Sequence, residues 1–114
     1  MSTSSWIIVE SPSKHQYAGI VVQKGGQPSY TGRGLLNKLR SYQDVVKFIQ
    51  GGDRPSIGER PYPNSDDPKV VTDWTQYEGC DYNYMFSNGK WMYQAGERFL
   101  PLTHATRDDI DEDY

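Results

Sequence analysis

Hydrophobic residues near the start of the chain form two β-branched runs. The first covers 6–9 and the second covers 17–22, and a polar stretch with a proline, 11–14, lies between them. Runs of this length bounded by turn-forming residues are typical of strands, and a short connection lets such strands pair side by side. The pattern therefore predicts an antiparallel pair of strands at the start of the fold.

A helical spacing of apolar residues replaces this pattern further along the chain. Residues 35–39 predict a first short helix with Thr31 as its candidate N-cap, and the apolar stripe 45–49 predicts a second. Ser41 is the expected N-cap of the second helix, because its hydroxyl can accept a bond from a free backbone amide. Gly51-Gly52 should end that helix, since glycine takes a left-handed conformation without steric cost.

The second half of the chain predicts a long loop followed by strands. Residues 53–68 contain four prolines and few apolar residues, so we expect an irregular loop there. Short strands are predicted at 70–74 and at 98–100.

An Asn-Gly pair marks a β-hairpin, which lies in sequence between the predicted strands 70–74 and 98–100. Asn88-Gly89 separates the alternating segments 82–87 and 90–94, which predicts a two-residue type I′ turn. The register then pairs the following residues across the hairpin: Phe86 with Trp91, Tyr84 with Tyr93, and Met85 with Met92.

These elements predict an α+β fold, with a small antiparallel sheet and two short helices inserted after the second strand. We expect a single domain over 1–106, because a chain of 114 residues has no room for separate catalytic and binding modules. Residues 107–114 form an acidic C-terminal tail, and we expect a neighbouring subunit to contact it.

Composition excludes several kinds of site and of protein. Cys80 is the one cysteine, which rules out an internal disulfide or a multi-cysteine zinc site, and His15 and His104 are too few for a histidine-based metal site. No run of about 18 apolar residues and no signal peptide is visible, so we expect a protein of a reducing cytoplasm. The nine Tyr, three Trp and three Phe residues either fill a small core or line an interface or stacking pocket.

Charge is divided unevenly along the chain. Residues 1–50 carry six basic and two acidic side chains, a sum of +4, whereas 51–114 carry six basic and thirteen acidic, a sum of −7. The total of −3 does not favour binding to duplex nucleic acid. This charge distribution is compatible with local arginine-rich pockets that bind a small anion. It is also compatible with docking between copies, in which a basic surface meets an acidic one.

No segment of the sequence indicates catalysis. Neither histidine is flanked by a recognisable nucleophile motif, and Cys80 stands beside an acid, which does not favour a thiolate. No motif for a metal or a cofactor is present.

Two arginine-containing segments are candidates for binding an anion. Residues 29–34 place Arg33 ahead of a predicted helix, where free amides attract phosphate, although a structural turn explains the same glycines. Arg54 and Arg60 in the long loop are either bidentate phosphate ligands or solvated surface residues. The aromatic side of the hairpin either stacks a nucleobase or packs against the helices.

The same segments resemble a family of small bacteriophage proteins, over about two-thirds of the chain. That family has a Gly-Pro turn, a Tyr-x-Gly segment opening a Leu-Leu helix, a second helix closed by Gly-Asp, a Ser-Leu-Gly-Glu-like loop and a Tyr-x-Phe-x-Gly-x-Trp-like hairpin. The matching residues are Gly26, Pro28, Tyr30, Gly32, Leu35, Leu36, Gly52, Asp53, Ser56, Ile57, Gly58, Glu59, Tyr84, Phe86, Gly89, Lys90 and Trp91. The chain departs from the family at 24–28, which lacks the aromatics of a Trp-Asp-Gly-Tyr-Pro turn, and at Arg54-Pro55.

In function the chain resembles the Thoeris anti-defence sponges of phages, which sequester cyclic ADP-ribose signals and in some cases also hold cyclic oligonucleotides. The resemblance implies a protein of the host bacterial cytoplasm that is not an enzyme, needs no cofactor and forms a homo-oligomer built from dimers. We expect it to contact neither a membrane nor duplex nucleic acid. The ligand-binding residues implied are Arg33, Arg54, Arg60, Phe86, Asn88, Trp91 and Arg107.

Two other functions are compatible with the same sequence. The first is direct inhibition of a host defence enzyme through the acidic tail and a tyrosine-rich surface. The second is hydrolysis of a nucleotide.

Overall fold

Six β-strands and two α-helices make up the part of the chain that the computed structural model describes, which is residues 3–11, 13, 16–63, 67–95 and 98–102. A π-helical turn (Pro28–Gly32) leads into α1, and a 3₁₀ turn (Trp74–Gln76) follows β3. The elements in chain order are β1 (Ser5–Glu10), β2 (Tyr17–Val22), α1 (Arg33–Lys38), α2 (Tyr42–Gln50), β3 (Lys69–Val71), β4 (Tyr82–Ser87), β5 (Lys90–Ala95) and β6 (Arg98–Pro101).

The strands form one mixed sheet in the order β3-β2-β1-β4-β5-β6. The α+β class and the position of both helices after β2 are confirmed, as is the antiparallel pairing of β1 with β2. The sheet departs from the predicted antiparallel arrangement at one strand pair, because β1 and β4 run parallel, with Ser5 opposite Tyr82 and Val9 opposite Phe86. The cause is the crossover after β3, which carries the chain from one edge of the sheet past β2 and β1.

The helices cover one face of the sheet and create the larger core. Because β1 is central and covered on both faces, its consecutive residues Ile7, Ile8 and Val9 are all buried. Ile8 belongs to a smaller cluster on the opposite face, with Val71, Tyr77 and Met85. The larger cluster contains the residues Ile7, Val9, Ile20, Val22, Leu35, Val45, Ile49, Tyr84, Phe86, Trp91 and Leu102.

Local signals set the limits of α2 as expected, but not those of α1. The Ser41 hydroxyl accepts a hydrogen bond from the Asp44 amide at 3.2 Å, and Gly52 beyond the helix has a φ of 89°. Thr31 is not the N-cap of α1. It lies inside the π-helical turn, where its hydroxyl donates to the Gly25 carbonyl oxygen at 2.5 Å, and Gly32 occupies the cap position.

The hairpin of β4 and β5 is confirmed in its turn and its register. Asn88 and Gly89 both have positive φ, 54° and 78°, as a type I′ turn requires. Three cross-strand pairs match the expectation, namely Tyr84 with Tyr93, Met85 with Met92, and Phe86 with Trp91.

Neither α-helix in the described part of the chain has the length and the apolar content needed to cross a membrane. The acidic tail 107–114 lies outside the described residues, as do His15 and His104.

Candidate functional site

An open apolar groove of about 520 Å³ lies between the end of α1 and the β4–β5 hairpin. We call it the Leu39 groove. Its walls are mostly hydrophobic, and two cationic side chains stand among them. The residues that line it are Leu36, Leu39, Arg40, Phe86, Gly89, Lys90, Trp91, Met92 and Pro101.

The groove is fixed in place by a hydrogen bond between its two walls. Leu39 follows the last residue of α1, and its carbonyl oxygen accepts a bond from the Trp91 indole Nε1–H at 2.8 Å. The Trp91 ring meets Phe86 edge-on, with 5.2 Å between ring centroids. Lys90 is the first residue of β5, opposite Ser87 and directly before Trp91 in sequence, and it also lines the groove.

Arg40 and Lys90 give the groove its positive charge. Both side chains are exposed, and neither makes a hydrogen bond or an ion pair with any other described residue. The groove's described lining contains no acidic side chain. Two free cations beside an apolar wall suit a ligand that combines a flat or apolar part with an anionic group.

A second, shallower cavity of about 370 Å³ lies on the other side of Leu39. We call it the Phe48 cavity. Lys38 and Lys47 add positive charge there, and Asp44 is the one acidic residue of its described lining. The described residues that line it are Lys38, Leu39, Asp44, Lys47, Phe48, Gly51, Arg54 and Pro61. The two cavities share Leu39 as a lining residue, so basic side chains from α1, α2 and the hairpin line two cavities that meet at this residue.

Arg54 has a structural position at the end of α2. Its side chain is only 7% exposed, its Nη2 donates to the Phe48 carbonyl oxygen at 2.7 Å, and its guanidinium lies 3.7 Å from the centroid of the Phe48 ring. Burial lowers the pKa of this guanidinium, since the charged form loses hydration. Arg54 therefore binds the last turn of a helix, whose carbonyl end attracts positive charge.

The aromatic residues Phe86 and Trp91 are part of the core as well as of the groove. Both are at least 95% buried in the cluster beneath the helices, so only a small part of either ring reaches the groove. Asn88 is exposed in the hairpin turn and lines a smaller cavity of about 260 Å³ with Phe86 and Tyr42. The sequence left two interpretations of the hairpin aromatics, stacking of a nucleobase or packing against the helices. The geometry of Phe86 and Trp91 is that of packing against the helices.

Arg33 and Arg60 are exposed and line neither the Leu39 groove nor the Phe48 cavity. The segment before Arg33 is a π-helical turn that continues into α1, and the amides of Tyr30 and Thr31 already donate to the Gln27 carbonyl oxygen. The amides of Tyr30 and Thr31 are thus engaged within the turn, as in the structural-turn interpretation of this segment. Arg107 lies outside the described residues.

Sequence reasoning missed Arg40 and Lys90, the two cations of the groove. A local signal was available for each: Arg40 separates two predicted helices, and Lys90 directly follows the Asn-Gly turn. What placed them together is the packing of α1 on the hairpin, a contact between residues about 50 positions apart.

Cys80 and the acidic side chains of the described structure lack the features of a reactive thiol and of a metal site, respectively. Burial raises the pKa of the Cys80 thiol, which disfavours the nucleophilic thiolate. Among the described residues, no three His, Cys, Asp or Glu side chains lie close enough together to hold a metal ion.

Comparisons of the chain with models of protein families, with curated proteins and with solved structures gave no match.

Proposed function

We propose that the protein binds a small phosphorylated ligand with a flat ring in the Leu39 groove, and sequesters it without cleaving it. The observation that carries this proposal is the pair of cations Arg40 and Lys90, which have no partner among the described residues and line an apolar groove. In this account the phosphate contacts Arg40 and Lys90, and the ring lies against the apolar wall that includes Leu36 and Trp91.

The size of the groove supports a ligand of nucleotide dimensions. Its volume of about 520 Å³ lies within the usual range of about 300–1,000 Å³ for small-molecule sites. An arginine fork and a lysine ammonium both bind phosphate oxygens well, and each such bond is stronger when the surroundings are apolar.

The chemistry of the lining supports retention over cleavage. The described side chains that line the groove include no carboxylate, imidazole, thiol or hydroxyl group that would act as a nucleophile or as a carboxylate or histidine base. A ligand held there meets hydrophobic surface and fixed positive charge, which stabilise binding but offer no such group for hydrolysis.

The choice among phosphorylated ligands rests on the resemblance to the phage sponges described above. It favours cyclic ADP-ribose isomers first and cyclic dinucleotides or trinucleotides second. On this proposal the protein acts in the cytoplasm of an infected bacterium as a homo-oligomer, and it lowers the free concentration of an immune signal.

Isothermal titration of the purified full chain with cyclic ADP-ribose isomers and with cyclic dinucleotides tests the proposal. We expect saturable heat with at least one of them. Arg40→Gln and Lys90→Gln should each weaken binding about tenfold or more, since each removes a charge-assisted bond of roughly 1.5–3 kcal/mol. Lys24→Gln is the matched control, because Lys24 is an exposed lysine outside both cavities and should not matter. No heat with any ligand would refute the proposal.

The bound ligand should be recovered chemically unchanged. After saturation, heat denaturation should release the input compound, as seen by chromatography, at the amount that was bound. Recovery of a hydrolysed product would instead identify a nucleotide hydrolase.

Direct inhibition of a host enzyme is a second candidate, favoured by exposed tyrosines. Tyr30, Tyr42 and Tyr62 are 47%, 40% and 37% exposed, and tyrosine is enriched at protein interfaces. The two functions differ in the total signal that a defence enzyme makes in the presence of the protein. A sponge leaves the total unchanged once heat has released the bound signal, whereas an inhibitor lowers it.

A further inference from the structure

The chain leaves the described structure at the rim of the Leu39 groove. Strand β6 ends at Pro101, which is itself one of the lining residues, and Leu102 is fully buried in the larger core. Leu102 therefore anchors the chain one residue beyond Pro101, which lines the groove together with Arg40 and Lys90.

The sequence that follows is complementary to this groove in charge. Residues 107–114, Arg-Asp-Asp-Ile-Asp-Glu-Asp-Tyr, carry five carboxylates and one arginine. The groove offers Arg40 and Lys90, and the adjoining Phe48 cavity offers Lys38 and Lys47, with Asp44 as the one acid of its described lining. Opposite charges on tethered surfaces attract one another most strongly at low ionic strength.

The same segment is also complementary in its apolar residues. Ile110 and Tyr114 interrupt the acidic run, and the groove presents apolar surface from Leu36, Leu39 and Met92 between its cations. An acidic segment with such side chains can place carboxylates on the rim and an apolar group in the groove.

The segment after Leu102 is long enough to reach any part of the Leu39 groove. The twelve residues after Leu102 span about 40 Å when extended. The longest dimension of the molecule is 34 Å. Because the segment is tethered at the groove itself, its effective concentration there is in the millimolar range, so weak contacts suffice to populate the bound state.

We propose that the acidic segment 107–114 docks into the Leu39 groove of its own chain and occupies the place of an anionic ligand. The tail thereby acts as an internal competitor that a phosphorylated ligand must displace. The competition rests on the proposed function, whereas the docking does not.

An all-amide variant tests the docking without changing the length of the chain. It carries Asp108→Asn, Asp109→Asn, Asp111→Asn, Glu112→Gln and Asp113→Asn. The readout is the Trp91 indole N–H signal in a ¹H–¹⁵N spectrum, assigned with Trp91→Phe. We expect this signal to differ between the native chain and the variant at low salt, and the difference to disappear at about 1 M salt.

Internal controls come from the other two tryptophans. Trp6 and Trp74 pack against the cluster on the opposite face of the sheet, so their indole signals should not change. Adding Arg40→Gln and Lys90→Gln to the native chain should reproduce the Trp91 signal of the all-amide variant. An unchanged Trp91 signal in the all-amide variant would overturn the docking. A Trp91 difference that depends on protein concentration would show docking into another copy and would overturn the proposal for the same chain.

The effect on ligand affinity separates this inference from the proposed function. If the tail occupies the groove nine-tenths of the time, the all-amide variant should bind a cyclic nucleotide about tenfold more tightly. Equal affinity in the two proteins would overturn the competition. A salt-sensitive Trp91 difference with no nucleotide binding in either protein would support the docking and refute the proposed function.

Discussion

The Trp91 indole N–H donates to the Leu39 carbonyl oxygen at 2.8 Å, and this bond joins the hairpin to the end of α1. It connects the second half of the chain to the helical segment that precedes the long loop. Both residues line the groove that we assign to ligand binding. The same contact therefore contributes to the stability of the fold and to the shape of the site.

Trp91→Phe should lower the free energy of unfolding by about 1–3 kcal/mol, because the Leu39 carbonyl loses its donor in a partly buried place. Urea denaturation followed by circular dichroism measures the change. Trp6→Phe is the matched control, since it also removes an indole bond to a carbonyl oxygen, that of Glu78, but at an exposed position where water replaces it. Equal losses in the two variants would contradict the structural role of the Trp91 bond.

Arg54→Lys should destabilise the protein by about 1–2 kcal/mol without weakening ligand binding. A lysine keeps the charge, but it lacks the planar fork that both stacks on Phe48 and donates to its carbonyl oxygen. Arg60→Lys, in the same loop but exposed, should change stability by less than about 0.5 kcal/mol. Loss of ligand affinity at unchanged stability in Arg54→Lys would instead restore Arg54 as a ligand-binding residue.

Gly19→Ala should cost about 1–3 kcal/mol of stability through overpacking. A Cβ atom at Gly19 would lie 2.8 Å from Cε1 of Tyr77 and 3.3 Å from the carbonyl oxygen of Ile7. The ring of Tyr77 has little freedom to move, because it is buried and its hydroxyl donates to the Lys69 carbonyl oxygen. Gly58→Ala is the control, since its nearest neighbour would be 3.9 Å away, and thermal unfolding should show little change there.

Tyr77 should make the protein less stable at alkaline pH. Burial raises the pKa of its hydroxyl above the ordinary value of 10.0. Below that value the hydroxyl is protonated in both states, and as the pH rises further only the unfolded chain releases the proton, so the free energy of unfolding falls. Tyr77→Phe should flatten this dependence above about pH 10, as measured by urea denaturation at a series of pH values. If the free energy of unfolding of Tyr77→Phe fell with pH as steeply as that of the native protein, Tyr77 would not be the cause of the alkaline loss of stability.

Local patterns were sufficient to predict most elements of the fold. The alternation around Asn88-Gly89 determines the hairpin register, and Ser41 marks the start of α2, because both signals act within a few residues. The parallel pairing of β1 with β4 was not predicted. It joins segments more than 70 residues apart and depends on where the crossover places the chain.

The candidate site was predicted only in part, for the same reason. Phe86 and Trp91 line the groove as predicted site residues, but the packing of the helices on the sheet buries most of both rings. The same packing determines which groups the Arg54 side chain contacts. The pattern of the sequence around Arg54 is that of an exposed loop, and nothing local distinguishes a helix-binding arginine from a phosphate-binding one. Arg40 and Lys90 come to line the same groove only when α1 meets the hairpin.

A crystal structure of the protein with a bound cyclic nucleotide tests the central claim most directly. The account predicts the phosphate within contact distance of Arg40 and Lys90, and the base against the apolar wall beside Trp91. A nucleotide bound instead at Arg33 or Arg60, with the Leu39 groove unchanged, would contradict it.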